Sequence, residues 1–437
     1  MDLAQQLIER ITNKDATVGV IGLGYVGLPL ALTFAEQGFR VLGFDIDQAK
    51  VEALTARHSY ISYIDDARLQ RLSVAVFGAT TDFTRVRDCH AVLICVPTPL
   101  TKNREPDMSY IQRTCESISA CLDRGQLIVL ESTTYPGTTE EVVRPILEKS
   151  GLHVGESLFL AYSPEREDPN NPDYHTGNIP KLVGGCTDAC REVALALYGG
   201  IVERLVPVSS TRVAEATKIV ENTFRAVNIA LVNELKIVFT RMGIDIWEVL
   251  EAAGTKPFGF MKFKPGPGLG GHCVPIDPFY LSWKALEYDS SCRFIEMAGE
   301  INTFIPYWVV NQIVGGLSQR GVSLKGARLL MIGLSYKKNV DDDRESPAYK
   351  LIDLLEERGA RVDYHDPYIP AIKPTRRYQY LAGRQSVPIE RVAEFDAVIV
   401  ATDHDCIDWD AVIEGAAIVA DTRGVYRELD LPKLIKA

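Results

Sequence analysis

One cysteine stands beside a glycine-rich loop, where a thiol can act as a nucleophile. Residues 264–281 read KPGPGLGGHCVPIDPFYL, so Cys273 follows the glycines and Asp277 lies four residues further on. The prolines and glycines exclude a regular helix or strand from the first half, and glycines let a backbone approach a ligand closely. A thiol held next to a substrate can form a covalent intermediate. A tight loop that happens to contain a cysteine is the alternative interpretation.

A second pair of polar residues lies on a long predicted helix. Residues 211–242 contain no proline or glycine and carry apolar residues at helical spacing. At about 1.5 Å per residue this helix exceeds roughly 40 Å, a length typical of helices that bridge domains or join subunits. Lys218 and Asn222 are four residues apart and share one face. A solvated face is the ordinary explanation, but with Cys273 and Asp277 the pair completes a set of ammonium, amide, thiol and carboxylate.

The amino-terminal part has the pattern of a dinucleotide-binding fold. A β-branched run at 17–21 leads into the sequence GLGYVG, which holds Gly22, Gly24 and Gly27, and a second apolar strand ends on Asp45. The glycines allow a pyrophosphate to approach, the following helix directs its N-terminus at phosphates, and the acid binds ribose hydroxyls. A carboxylate at this position repels a 2′-phosphate, which favours NAD over NADP. A glycine-rich turn without a ligand is the alternative.

Polar turns follow three further predicted strands, at residues 91–96, 127–131 and 158–162. Thr98 and Thr133 follow the first two, and ligands of doubly wound sheets lie at the carboxyl ends of strands. Threonine at a strand end is also a common helix cap. The third strand is followed by Glu165 and Arg166, which either offer a carboxylate and a guanidinium to a substrate or lie on the surface.

The carboxyl-terminal part repeats the strand–turn–helix pattern. A strand at 328–333 leads into a lysine-rich turn, a helix-like stretch follows at 349–358, and a strand at 361–364 comes next. We interpret this pattern as a second doubly wound domain that binds a phosphorylated ligand, but not NAD in the same pose. The residues that can counter phosphates or face water here are Lys337, Lys338, Arg344 and Arg423.

Size and composition limit the remaining possibilities. A chain of 437 residues needs more than one hydrophobic core. The net charge of −11 argues against nucleic acid or an anionic membrane as a partner. Nine scattered cysteines without paired metal spacing predict reduced thiols and a cytoplasmic protein. The polar residues 1–14 predict no signal peptide, and glycines and a proline make the uncharged run 16–35 a poor membrane span.

Together these motifs resemble the UDP-glucose/GDP-mannose dehydrogenase family along nearly the whole chain. The matching segments, in order, are GLGYVGLPLA, CVPTP, ESTTYPGTT, YSPERE, the helix with Lys218 and Asn222, PGPGLGGHCVPIDP and YKKNVDDDRES. Within the family, TTYPGTTEE, SPEREDPNNP, TKPFGF and GGHCVPIDPFYL are most similar to the bacterial UDP-N-acetylglucosamine 6-dehydrogenases, which make a uronic acid for surface polysaccharides such as O-antigen and capsule. Branches that act on UDP-glucose, UDP-N-acetylgalactosamine or UDP-N-acetylmannosamine share the catalytic motifs.

The resemblance implies an α/β fold with two Rossmann-like doubly wound domains joined by a long central helix. It implies an NAD-binding domain at 1–205, a central helical dimerisation domain at 206–316 and a UDP-sugar-binding domain at 317–437. The expected assembly is a homodimer or a higher homo-oligomer. The expected activity is an NAD-dependent four-electron oxidation of the C6 hydroxyl of a UDP-sugar, with UDP-N-acetylglucosamine favoured, through a thiohemiacetal and a thioester.

The resemblance also assigns roles to individual residues. It makes Cys273 the nucleophile, surrounds it with Lys218, Asn222 and Asp277, and implies catalytic roles for Glu165 and Thr133. The candidate NAD contacts are Gly22, Gly24, Tyr25, Val26, Gly27, Asp45, Lys50, Thr98, Thr133 and Arg344. The candidate substrate contacts are Glu165, Arg166, Lys218, Asn222, Lys264, Gly268, Tyr336, Lys337 and Arg423. No metal is expected.

One departure and three alternatives accompany these expectations. UDP-glucose enzymes carry an arginine ahead of the glycine loop, where this chain reads TKPF at 255–258, so the pocket there suits a different sugar. A single-step NAD dehydrogenase of the hydroxyacid or 6-phosphogluconate type needs neither the cysteine nor a second nucleotide domain. A zinc alcohol dehydrogenase is disfavoured because His272 and Cys273 are adjacent and no other cluster has ligand spacing. A catalytically inactive nucleotide-sugar-binding protein is the non-enzymatic alternative.

Overall fold

The chain folds into two units that share one long helix. A computed structural model describes residues 2–61, 63–101, 103–166, 173–271, 274–375 and 377–437. The first unit comprises Met1–Glu221 and Phe279–Ser290, and the second comprises Asn222–Pro278 and Ser291–Ala437. The division into three domains at the predicted boundaries stays a prediction.

The first unit contains an eight-stranded sheet. Its strands are β1 (Thr17–Ile21), β2 (Arg40–Phe44), β3 (Phe77–Thr80), β4 (Ala91–Ile94), β5 (Leu127–Leu130), β6 (Phe159–Tyr162), β7 (Lys181–Gly185) and β8 (Leu205–Pro207). Their order is β3-β2-β1-β4-β5-β6-β7-β8, and β6 and β7 pair antiparallel whereas the other described neighbours are parallel. The strand order reverses at β1, between β2 and β4, and such a switch point is where doubly wound sheets bind ligands.

Helices cover this sheet, which explains why its central strands are apolar on both faces. They are α1 (Leu3–Thr12), α2 (Gly27–Glu36), α3 (Gln48–Thr55), α4 (Asp66–Gln70), α5 (Ser109–Ser119), α6 (Arg144–Leu147) and α7 (Asp188–Gly199). A π-helical turn at Thr139–Val143 precedes α6, and short 3-10 turns lie at Phe83–Asp88 and Glu148–Ser150. Every residue of β4, β5 and β6 is buried.

The second unit contains a five-stranded parallel sheet. Its strands are β9 (Arg328–Ile332), β10 (Arg361–His365), β11 (Ala397–Val400), β12 (Val419–Asp421) and β13 (Leu434–Lys436). Their order is β10-β9-β11-β12-β13, so the order again reverses at the first strand. The prediction of a second doubly wound fold is confirmed.

The long helix has the predicted bounds, residue for residue. It is α8 (Thr211–Met242). The helices that follow it are α9 (Ile246–Gly254), α10 (Asp277–Ala285), α11 (Arg293–Gln319), α12 (Pro347–Glu357) and α13 (Trp409–Gly415). Further 3-10 turns lie at Leu286–Tyr288, Gln379–Leu381 and Ile389–Glu394. In the second unit α8 packs against α11, where Asn302 Nδ2 donates to the carbonyl oxygen of Ala226 at 3.3 Å. Among the helices that the structure describes, none is both long enough and apolar enough to cross a bilayer.

Candidate functional site

The turn between β1 and α2 is shaped by glycines. Gly22 has φ of +90°, a left-handed conformation that favours glycine. A Cβ atom on Gly27 would lie 1.9 Å from the carbonyl oxygen of Gly22, so a side chain does not fit there. A Cβ atom on Gly24 would meet no atom within 4 Å, so this glycine borders open space at the N-terminal end of α2. Unpaired N–H groups of a helix start attract phosphate, and this turn therefore fits the pyrophosphate of NAD. Tyr25 and Val26 are half-buried beside it.

Asp45 connects this turn to the end of β2. One oxygen of its buried carboxylate, Oδ2, accepts the backbone N–H of Leu23 at 2.9 Å and lies 3.2 Å from Lys50 Nζ. The other oxygen accepts the backbone N–H of Asp47 at 3.0 Å. The carboxylate is thus fixed at the carboxyl edge of the sheet, next to the glycine turn, as the NAD-binding pattern requires.

The two candidate cofactor threonines meet at the same edge of the sheet. Thr98 Oγ1 donates to the carbonyl oxygen of Thr133 at 2.7 Å. The carbonyl oxygen of Thr98 accepts the hydroxyl of Tyr280, and Thr98 is buried. This pairing joins the turns that follow β4 and β5. Their roles as cofactor contacts stay predictions.

Lys218 and Glu165 are joined within the first unit. Lys218 Nζ donates to the backbone carbonyl oxygen of Glu165 at 2.5 Å, and only 9% of Lys218 is exposed. This side chain is therefore buried, unlike the solvated lysine that is the ordinary alternative. The guanidinium of Arg166 lies 2.6 Å from Glu221 Oε1 and donates to the carbonyl oxygen of Pro180 at 2.7 Å. Protein groups thus hold the carbonyl group of Glu165 and the side chain of Arg166.

Sequence reasoning missed three buried side chains behind Glu165. Lys181 Nζ lies 2.6 Å from Glu131 Oε2, and the hydroxyl of Tyr198 donates to the other oxygen of Glu131. The sequence offered one sign of this cluster: Glu131 directly follows β5, and Lys181 is the first residue of β7. Charges at strand ends are usually solvated, so that signal is weak without knowledge of which strands are neighbours.

Glu215 on α8 fixes the turn that follows Thr133. Its Oε2 accepts the backbone N–H of Gly137 at 2.6 Å, and its Oε1 accepts the backbone N–H of Thr139 at 2.8 Å and the hydroxyl of Thr139 at 2.7 Å. Burial raises the pKa of Glu215 to about 7, although these hydrogen bonds lower it in part. Glu215 was another residue that the sequence did not reveal.

We expect Glu215→Ala to lower the thermal unfolding midpoint. The change leaves two buried backbone N–H groups without their acceptor, at a cost of about 1–3 kcal/mol each. Glu192→Ala, at an exposed position of α7, is the matched control and should leave the midpoint almost unchanged. Equal midpoints for the two variants would contradict the assigned role.

The same carboxyl group predicts how stability changes with pH. Because its folded pKa is raised to about 7, the folded state binds a proton that the unfolded state has released above roughly pH 4.5. Its contribution to the free energy of unfolding therefore falls as pH rises from 4.5 to 7, by up to about 1.4 kcal/mol per pH unit, and is constant above that range. Glu215→Gln should lack this component when unfolding is followed by circular dichroism across the range.

In the second unit, Asn222 is paired with Asp277. Asn222 Nδ2 donates to Asp277 Oδ2 at 2.6 Å, and the two residues are 5% and 3% exposed. Asp277 begins α10, and Asn222 lies one turn beyond Lys218 on α8. Cys273, the predicted nucleophile, and His272 lie outside the described residues.

The glycine loop of residues 264–271 packs closely on the second sheet's turns. A Cβ atom would lie 2.9 Å from Pro347 if placed on Gly268, whose φ is +152°, and 2.8 Å from Tyr336 Cβ if placed on Gly270. Gly271 donates its N–H to the carbonyl oxygen of Arg344 at 3.3 Å. The glycines are therefore needed for close packing against protein. Lys264, at the start of the loop, is exposed.

Two buried polar side chains, Asp366 and His404, support the turn that carries Tyr336 and Lys337. Asp366 Oδ2 accepts the backbone N–H of Ser335 at 3.0 Å, and His404 Nε2 lies 3.2 Å from that oxygen. His404 Nδ1 accepts the backbone N–H of Asn339 at 3.0 Å, at the far end of the turn. Sequence reasoning missed this support because its members are 31 to 69 residues apart in the chain.

The two candidate arginines of the second unit have protein partners. Arg344 pairs with Asp342 through two contacts, Nε to Oδ1 at 2.8 Å and Nη2 to Oδ2 at 2.6 Å. Arg423 is half-buried, and its Nε donates to the carbonyl oxygen of Ala401 at 2.6 Å. A Cβ atom on Gly266 would lie 2.7 Å from Arg423 Nη1, so Arg423 lies directly below the glycine loop. The contact of Arg344 with NAD and the contact of Arg423 with substrate both stay predictions.

No metal centre is evident in the part of the chain that the structure describes, since no three His, Cys, Asp or Glu side chains there form a ligand set. The eight described cysteines are free thiols.

Three segments of the chain match the domains of one protein family. Residues 16–202 match the NAD binding domain of the UDP-glucose/GDP-mannose dehydrogenase family. Residues 212–304 match its central domain, and residues 330–428 match its UDP binding domain.

Individual relatives show this similarity over at least 90% of the chain. The UDP-N-acetyl-D-glucosamine 6-dehydrogenase of Pseudomonas aeruginosa is 38% identical over 90% of this chain and 91% of its own length. The UDP-N-acetyl-D-mannosamine dehydrogenase of Escherichia coli K12 is 32% identical over 94% of this chain and 99% of its own length. The structure of the UDP-D-ManNAc dehydrogenase of Pyrococcus horikoshii superposes with a TM-score of 0.85 at 30% identity, covering 96% of this chain and 99% of that one.

Proposed function

The chain belongs to the UDP-glucose/GDP-mannose dehydrogenase family, whose members are NAD-dependent nucleotide-sugar dehydrogenases, and we propose that it oxidises the C6 hydroxyl of UDP-N-acetylglucosamine to a carboxylate. One observation carries the chemistry. Lys218 and Asn222 are buried one turn apart on α8, and each is held by another predicted site residue, Glu165 or Asp277. Two buried donors on one helical face suit the stabilisation of a negative charge that develops on oxygen.

The choice of sugar rests on two observations. The Pseudomonas aeruginosa relative, at 38% identity, is named for UDP-N-acetylglucosamine. The sequence TKPF at 255–258 lacks the arginine expected of a UDP-glucose enzyme, which favours a sugar that differs from glucose. UDP-N-acetylmannosamine is the second candidate, because the Escherichia coli relative is named for it.

Residues of the first unit hold the cofactor in this proposal. Gly22, Gly24 and the start of α2 would bind the pyrophosphate, Asp45 would bind a ribose, and Thr98 orders the turn after β5 by its hydrogen bond to Thr133. NAD, when bound, would accept a hydride. Two NAD molecules, bound one after the other, are reduced for each sugar.

The proposed chemistry joins two oxidations through one covalent intermediate. The C6 alcohol would lose its hydroxyl proton to solvent water and its hydride to the acceptor that NAD supplies, which gives an aldehyde, and the thiolate of Cys273 adds to the aldehyde carbon. The resulting thiohemiacetal loses the second hydride and becomes a thioester. Lys218 and Asn222 donate hydrogen bonds to the oxyanion at C6. The ammonium of Lys218 also favours the thiolate, since an unperturbed thiol has a pKa of about 8.5.

Hydrolysis then releases the acid. Water attacks the thioester carbon, its proton passes to Glu165 or Asp277, the carbon–sulfur bond breaks, and the thiolate of Cys273 is regenerated. Asp277 is already the hydrogen-bond acceptor of Asn222, which leaves Glu165 the more suitable base.

We also propose that two copies of the chain associate along α8. Phe224, Leu231 and Val238 are spaced by seven residues on this helix and are 45–49% exposed. Apolar residues at this spacing form a continuous seam, which helices bury against a partner. A cytoplasmic location fits the free thiols of the described cysteines.

A panel of substrates tests the proposed function. NADH formation is followed with NAD and UDP-glucose, UDP-N-acetylglucosamine, UDP-N-acetylgalactosamine or UDP-N-acetylmannosamine. The proposal predicts the highest kcat/KM with UDP-N-acetylglucosamine. A preference for UDP-N-acetylmannosamine would support the second candidate, and binding of UDP-sugars without any NADH would identify a non-catalytic binding protein.

A further inference from the structure

A second charged group lies next to the side chain of Glu165. Lys181, the first residue of β7, places its Nζ 3.7 Å from Glu165 Oε2 and 2.6 Å from Glu131 Oε2. Glu131 directly follows β5, and its other oxygen accepts the hydroxyl of Tyr198 on α7. Lys181, Glu131 and Tyr198 are at most 4% exposed. A buried chain of polar contacts therefore ends at Glu165.

Burying this network of charged and polar side chains costs free energy. Taking an ion out of water costs several kcal/mol even after relaxation, and apolar residues of similar size are often as stabilising as a buried ion pair. Every residue of β5 and β7, the two strands from whose ends Glu131 and Lys181 project, is buried. Stability alone gives little reason for a lysine and a glutamate at these two positions.

Lys181 also contacts the backbone before Glu165. Its Nζ donates to the carbonyl oxygen of Pro164 at 3.2 Å. The same ammonium therefore contacts the main chain before Glu165 and faces its carboxylate. Lys218 in turn donates to the carbonyl oxygen of Glu165. Two lysines therefore contact Glu165 and its backbone, and of these Lys181 is the one that faces the carboxylate.

We propose that Lys181 is a positioning residue that keeps the carboxylate of Glu165 oriented toward the water that hydrolyses the acyl-enzyme, while Glu131 and Tyr198 hold Lys181 in place. The inference rests on the proposed function, because it concerns the hydrolytic step of that reaction. The proton leaves the attacking water for Glu165 as the carbon–sulfur bond breaks. Lys181 touches no reacting atom and acts through Glu165.

The surrounding charges support this role. Burial lowers the pKa of Lys181, but Glu131 and Glu165 raise it by more, so the ammonium stays charged. Burial raises the pKa of Glu131, and Lys181 counters that effect. The other titratable groups that face the network are Cys95 and Lys218. The backbone N–H of Arg166 donates to Glu165 Oε1, and the guanidinium of Arg166 pairs with Glu221.

Two variants test the inference without leaving a buried charge unpaired. Glu131→Gln removes one carboxylate and leaves Lys181 with Glu165 as its remaining carboxylate partner. Adding Lys181→Met to Glu131→Gln then removes the ammonium, while no carboxylate at 131 is left behind. Folding is checked by circular dichroism, and kcat and KM are measured from pH 5 to 9. Lys149→Met, at an exposed position, is the surface control.

The expected result is a shift of the acid limb of the pH profile of kcat, which is the range in which kcat falls as the pH is lowered. Glu131→Gln should move the limb to lower pH than in the unaltered enzyme, because Glu165 loses a negative neighbour. The double variant should move it to higher pH than in Glu131→Gln by about one unit, which is a tenfold lower kcat on the limb, with KM for the UDP-sugar unchanged.

The overturning results are equally specific. Superimposable profiles, or a loss by the same factor at every pH, would show that Lys181 has only a structural role. Should the double variant not fold, an unmoved limb in Glu131→Gln alone would overturn the inference. If the unaltered enzyme forms no NADH from any UDP-sugar, the proposed function fails instead, and that outcome is seen before any variant is compared.

Discussion

Replacing Cys273 by serine should abolish net acid formation while UDP-sugar binding is retained. A hydroxyl is far less nucleophilic than a thiolate and a poorer leaving group, so neither the capture of the aldehyde nor the hydrolytic release proceeds at a useful rate. Removing a covalent nucleophile typically costs about 10⁴–10⁶-fold in turnover. We expect a loss of this size in steady-state NADH formation, with the Kd for the UDP-sugar changed by less than about threefold.

The matched control is Cys406→Ser, since Cys406 is an exposed thiol of the second unit. That variant should keep full activity. Formation of two NADH per sugar by Cys273→Ser at a rate close to that of the control would contradict the covalent scheme. Mass spectrometry of the quenched enzyme gives an independent check, since a sugar-sized adduct should appear on the unaltered protein alone.

Lys218→Ala should lower kcat by about 10²–10³-fold, the usual cost of removing one oxyanion donor, or about 2.7–4 kcal/mol of barrier. The buried ammonium donates to the backbone carbonyl oxygen of Glu165 and is one helical turn from Asn222. In the proposed mechanism its loss removes both an oxyanion donor and the cation that favours a thiolate. The optimum pH should also rise, because the thiol then ionises nearer its ordinary pKa of about 8.5. KM should change little.

Arg225→Ala is the control for this prediction, because Arg225 is an exposed basic residue on the same helix. It should leave kcat and the pH optimum unchanged. Lys218→Arg keeps the charge but not the shape, and should recover part of the lost kcat. A kcat for Lys218→Ala within about threefold of that of Arg225→Ala would remove Lys218 from the catalytic set.

Local patterns in the sequence predicted the elements that carry the site. The run from β1 through Gly22 to Asp45 was evident because a buried strand, a glycine turn and a terminal acid each have a local signature. The bounds of α8 followed from thirty-two residues with no proline or glycine. The second doubly wound sheet was evident because its first strand and turn repeat the same alternation.

The supporting residues could not be predicted, because their partners are far apart in the chain. Lys181 and Glu131 are 50 residues apart and meet because β6 places β5 and β7 on its two sides. The antiparallel direction of β7 depends on the same long-range pairing. His404 and Asp366, 38 residues apart, meet beneath the Tyr336 turn for a similar reason. A charged residue at the end of an apolar run looks solvated until the neighbouring strand is known.

The count of NADH per sugar tests the central claim most directly. A limiting, known amount of UDP-N-acetylglucosamine is consumed to completion with excess NAD, and NADH is measured by its absorbance. A four-electron oxidation through a covalent intermediate on Cys273 predicts two NADH for each sugar and no free aldehyde. One NADH per sugar, with an aldehyde or ketone as the product, would contradict it and would identify a single-step dehydrogenase.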